Sequence, residues 1–233
     1  SGLPMTPMLD IGEMLLSDTV SQQDYFFRPS LKNMTRIGAA TEIVETYAVL
    51  NGSELNQVLT PAINANLPAS LIPSKAIKQC SAHILAAAIR VIEACCDMPV
   101  AELIGEFKGW RNCIVYRPGK ISKEVVITIA KELIEHGVIG KAKIRKLQKN
   151  EGNNDYSTEF NAMDYINSAR IHFNMSRAEA EQLTMTEFQL LLKAKYPEDK
   201  GFTREEYDEI MDADDRLQER LIAQEKARLA KNV

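Results

Sequence analysis

Histidine, cysteine and clustered aspartate are the residue types in this chain that could hold a metal or attack a substrate, and their spacing argues against both. His83, His136 and His172 stand far apart, at no metal-ligand interval, so each reads as a surface or core residue. Among Cys80, Cys95, Cys96 and Cys113 no pair has the C-x-x-C spacing of a zinc or redox site. Cys95 and Cys96 are neighbours on a predicted helix and point about 100° apart, poorly placed to bridge each other. All four read as reduced thiols suited to a reducing cytoplasm. Gly119-Lys120 resembles the end of a phosphate loop. That loop needs a glycine five residues before Gly119, where the chain has Ile114, and a Ser or Thr after the lysine, where it has Ile121. Asp212, Asp214 and Asp215 lie in a helical run without the glycine turn of a calcium loop. No G-x-S-x-G, H-E-x-x-H or cysteine protease signature occurs. The chain is therefore expected not to be an enzyme, and to need neither cofactor nor metal.

The elements that must carry these residues are mostly helical. The strongest signal runs from Ser74 to Cys96, where Ile77, Ser81, Ile84, Ala88, Val91, Ile92 and Cys95 recur at three and four residue intervals. Leu85, Ile89 and Cys96 form a second row beside them, and from Ile84 to Cys96 only Arg90 and Glu93 are charged. This helix is expected to be nearly surrounded and to form the hub of a core. Before it, Met8 to Leu16 and Tyr25 to Arg28 read as strands of a hairpin, with Ser17 to Asp24 as its loop. Pro29-Ser30 opens a short helix with Leu31, Met34 and Ile37 on one face. Thr41 caps the next, which carries Ile43, Tyr47 and Leu50 and closes at Asn51-Gly52. Ser53 to Pro73, with three prolines, reads as a loop holding at most a short helical turn.

After the hub, Val100 to Ile104 gives a short helix, and Trp110 to Tyr116 a short extended segment broken at Pro118-Gly119. Ser122 caps a helix with Val125, Ile129 and Leu133 on its face, stapled by Ile121 and Val126 and closed at Gly137. The basic run Gly140 to Asn150 and the Gly- and Asn-rich Glu151 to Asp155 read as a domain boundary. Beyond it, Ser157 opens a helix with Phe160, Met163, Ile166 and Phe173, and three capping boxes follow: Ser176 with Glu179, Thr184 with Glu187, Thr203 with Glu206. The third helix ends at Pro197. The fourth, from Arg204 to about Ala230, has only Ile210, Leu217 and Leu221 as an apolar stripe. The expected fold is mainly α with a small N-terminal β-hairpin. A helical domain around a buried central helix, residues 1–150, would precede a C-terminal helical bundle, residues 155–233.

Composition agrees with a folded, soluble chain: 233 residues, 45% hydrophobic and 26% charged, with a formal net charge of −4. There is no basic field for nucleic acid and no apolar run of the roughly 20 residues that a membrane span needs. Ser1 to Pro4 read as the remnant of a cleaved expression tag. Two stretches stay open to a functional reading. Ala130 to Ile139, AKELIEHGVI, followed by basic residues, has the form of a helix and turn before the wing of a winged-helix DNA binder. Arg204 to Glu219, with eight acidic residues against two arginines, could dock a basic partner.

Phe173 to Pro197, FNMSRAEAEQLTMTEFQLLLKAKYP, resembles the carboxy-terminal segment of the tail assembly chaperones of long-tailed bacteriophages, at Met175, Ser176, Glu179, Leu183, Thr184, Glu187, Phe188, Leu191 and Leu192. Phe27-Arg28-Pro29-Ser30 followed by Ile37-Gly38 resembles their amino-terminal start, and the whole chain is similar to an uncharacterised phage protein family carrying both ends in one reading frame. In the better known chaperones a short form binds the tape measure protein, and a frameshifted longer form adds a region that recruits tail tube subunits. The resemblance implies that residues 1–150 coat the tape measure protein and 155–233 recruit the tube protein, in the host cell cytoplasm. It implies a partner surface at Phe188, Leu191, Leu192, Ile210, Leu217 and Leu221, no membrane and no nucleic acid as partner, and leaves self-association open. The alternative reading is a winged-helix-type DNA-binding regulator.

Overall fold

The hub is α4, Ser74–Cys95. In the computed structural model, which describes residues 6–65, 74–110, 113–142 and 158–196, every residue from Leu85 to Cys96 is buried except Ala86, Arg90 and Glu93. The two charged positions that the sequence leaves on this stretch are its outlets to solvent. The first half of α4 is less enclosed: Ser81 is exposed, and Ile77 and Ile84 are half-buried.

Around the hub the fold is mainly helical, with two small antiparallel hairpins. In the first, β1 (Met14–Asp18) pairs with β2 (Gln23–Phe27), Met14 opposite Phe27 and Asp18 opposite Gln23. Its first strand starts later than expected. Leu9–Ile11 form a 3-10 turn, because Glu13 folds back and its carboxylate accepts from the Met8 N–H at 2.9 Å. Ser30 then caps α1 (Leu31–Met34), and Leu31, Met34 and Ile37 are all buried, as their spacing requires. α2 (Ala40–Leu50) starts one residue before Thr41, with the Ala39 N–H donating to Glu42 at 2.8 Å, and buries Ile43, Thr46 and Leu50. Tyr47, expected on that face, is half-buried.

Ser53–Asn64 is not a loop but a helix, α3, packed on α2 and α4. Pro61 sits inside it and removes one backbone donor, a loss usually of about 3 kcal/mol, and burial of Ala62 is among the contacts that offset it. Composition marked Pro61 as a breaker; packing overrode it.

A second hairpin follows α5 (Ala101–Ile104), where the sequence showed one extended segment: β3 (Glu106–Trp110) pairs with β4 (Cys113–Arg117). Phe107 and Tyr116 face each other with ring centroids 5.4 Å apart, and the Tyr116 hydroxyl donates to the Ile104 carbonyl at 2.7 Å. Gly119-Lys120, which only resembled a phosphate loop, stitches this hairpin down. The Lys120 N–H donates to the Leu103 carbonyl at 2.9 Å, and a Cβ on Gly119 would overlap the backbone of Leu103 and Gly105. The Lys120 ammonium pairs with Asp18, holding that carboxyl well below the usual carboxylate range, with Ser21 adding a hydrogen bond.

α6 (Lys123–Ile134) begins at the Ser122 cap and is the main neighbour of α4. Its buried face is Val126, Ala130, Leu133 and Ile134, one residue round from the expected face, and Val125 points to solvent. The helix does not stop at Gly137. It widens into a π turn, Glu135–Ile139, and ends at Gly140. Gly137 is needed for space, since a Cβ there would lie 2.9 Å from the Cγ of fully buried Met34.

α7 (Ala162–Phe173) starts at Asn161, whose side chain accepts from the Met163 N–H at 3.2 Å; Ser157 lies outside the described residues. Phe160 and Ile166 are buried, while Met163 is exposed. α8 (Arg177–Gln182) and α9 (Met185–Lys195) carry the two expected capping boxes, Ser176 with Glu179 and Thr184 with Glu187. Pro197, the box Thr203 with Glu206, and the fourth helix fall outside the described residues.

By packing, the chain divides into Ser1–Leu192 and Lys193–Val233, the second described only from Lys193 to Tyr196. The division expected between residues 150 and 155 lies outside the described residues; on its two sides Phe160, Ile166 and Phe188 share one core with Phe27, Leu31 and Ile92. No helix among the described residues is long and apolar enough to cross a membrane.

Candidate partner-binding cleft

Two stretches far apart in sequence close on each other next to α9. Phe27-Arg28-Pro29-Ser30 leaves β2, and Leu183-Thr184 joins α8 to α9. Arg28 Nε donates to the Gln182 carbonyl at 2.9 Å, and the Leu31 N–H donates to the Leu183 carbonyl at 2.8 Å. Ser30 and Thr184 form an isolated antiparallel bridge. Arg28 Nη2 reaches both carboxylate oxygens of Glu187, at 3.2 and 2.9 Å, while Nη1 pairs with Glu13. Glu187 thus serves twice, capping α9 through the Thr184 N–H and gripping Arg28. The guanidinium thus spreads its three nitrogens over the Gln182 carbonyl and the carboxylates of Glu13 and Glu187, which fixes its orientation as well as its distance.

Beside this seam His136, from the π turn, meets α9. Its Nδ1 is 2.8 Å from Thr186 Oγ1, which also accepts from the Lys141 N–H at 3.0 Å. Gln189 adds a bond to the Ile139 carbonyl at 2.7 Å. Burial pushes the imidazole pKa below its ordinary value and Lys141 adds to this, against the opposing pull of Glu132, Glu135 and Asp10. Segment Ala130–Ile139, which suggested a winged helix, turns Ala130, Leu133, Ile134, His136, Gly137 and Val138 inward.

The cleft itself lies between α7 and α9, about 430 Å³, lined by Glu159, Asn161, Asp164, Tyr165, Ser168, His172, Phe188 and Leu192. Its floor is aromatic. Tyr165 stacks on Phe160 at 5.4 Å between centroids and meets Phe188 edge-on at 5.8 Å, and Phe188 meets Phe173 edge-on at 6.1 Å. Its rim is acidic: Glu159 and Asp164 are exposed, and neither lysine nor arginine lines it.

Of the residues expected to contact a partner, Phe188 is a core residue, 6% exposed, that reaches the cleft only by its edge. Leu191 and Leu192 are half-buried against the core, and Leu192 alone of the two lines the cleft. Ile210, Leu217 and Leu221 lie outside the described residues. Tyr165 and Asp164 were missed. The aromatic spacing of Phe160, Tyr165 and Phe173 was a signal for the first; a single carboxylate on a polar helix face gives none for the second.

The other reactive side chains are spread out. His83 pairs with Glu54 at 3.0 Å, far from His136 in sequence and on another helix. Cys80, Cys95 and Cys96 are free and buried, and burial pushes the Cys95 thiol far above its usual range. No group of three or more His, Cys, Asp or Glu among the described residues is disposed to hold a metal ion.

The class defined here is a mainly helical protein built around a buried central helix, with two small hairpins and a shallow cleft on its last described helices. The chain belongs to a family of unknown function, DUF6246, whose model matches residues 27–209 and so spans the Arg28 seam and the whole cleft. No curated protein and no solved structure matches it.

Proposed function

We propose that the chain is a non-enzymatic tail assembly chaperone of a long-tailed bacteriophage, which binds the tape measure protein and recruits tail tube subunits in the host cytoplasm. The observation that supports this reading is the seam. The sequence resembles such chaperones at Phe27–Ser30 with Ile37-Gly38 and at Phe173–Pro197, and parts of these two regions are bonded to each other: Arg28 to Gln182 and Glu187, and the adjoining Leu31 amide to Leu183. Contact in space between residues that resemble one family at both ends of the chain supports reading them as parts of one functional unit. The cleft beside them, shallow and lined by both apolar and charged groups, has the mixed character of a surface that binds protein reversibly.

The test is co-expression of the full-length, affinity-tagged chain with the tape measure and tail tube proteins of the same phage genome. Both are expected to co-purify, and Leu192→Ser, at the cleft, should weaken capture by about tenfold while the far-ultraviolet dichroism stays unchanged. A folded chain that retains neither protein overturns the proposal.

A further inference from the structure

We draw no further inference here: the strongest candidate, the apolar surface along α3 and the first half of α4, where Leu59 and Ile77 are half-buried outside the main core and Ile63 is 65% exposed, carries nothing because no feature of the structure shows what covers it.

Discussion

Arg28 holds two carboxylates from opposite ends of the chain, and one of them, Glu13, is only 5% exposed. Replacing Arg28 with methionine keeps much of the apolar stem and leaves Glu13 buried without its cation. Because Arg28 and Glu187 are about a quarter open to water, the loss expected in urea unfolding is about 2 kcal/mol, below that of a fully buried pair. Adding Glu13→Gln should recover part of it by removing the stranded charge. His136 gives a pH dependence of defined sign. Its native pKa lies below the ordinary value because burial disfavours the imidazolium, so on acidification the unfolded chain takes up the proton first. The stabilisation is complete above the ordinary histidine range and is lost as pH falls through that range toward the native value. Between about pH 7 and 5, His136→Gln should therefore flatten the fall in unfolding free energy, by at most ~1.4 kcal/mol per pH unit.

At the scale of elements, the π turn Glu135–Ile139 lets the end of α6 pass under α1, with Gly137 against Met34. Gly137→Ala should cost about 1–3 kcal/mol by overpacking, measured as a lower urea midpoint with an unchanged slope. Met34→Ala in the same chain should relieve the clash and make the two changes less than additive. Which elements were legible in the sequence follows from where their signals reside. Ser30, Ser122, Ser176 and Thr184 announced helix starts because a cap is a local bond between a side chain and a backbone three residues away. The hub was legible because burial on nearly all sides leaves almost no polar residues. α3 was not, because its Pro61 is tolerated only through packing on α2 and α4, which no local pattern records. The face of α6 was misplaced by one residue because Val125 and Val126 are chemically alike, and only the position of α4 decides between them. Among the residues lining the cleft, Phe188 and Leu192 stand in an apolar pattern that the sequence records, while Asp164 is a single carboxylate on a polar helix face, which no local pattern marks.

Across the whole molecule, one core takes in residues on both sides of the span 143–157, and the Phe160 N–H donates to the Ala40 carbonyl at 3.0 Å. A protease site engineered into that span should give two pieces that elute together in gel filtration and separate only in denaturant. Independent elution in buffer would mean that the two sides are held by the connecting chain alone. The seam that joins them also sets a timetable for synthesis. Arg28 waits for Glu187, 159 residues later, which at ordinary elongation rates takes roughly 8–30 s. Through that interval the Leu31 amide lacks the Leu183 carbonyl, and the apolar side chains of α1 lack the cover of α7 and α8. A ribosome that terminated before Thr184 would release a polypeptide with that surface permanently open, available to whatever apolar segment it met first.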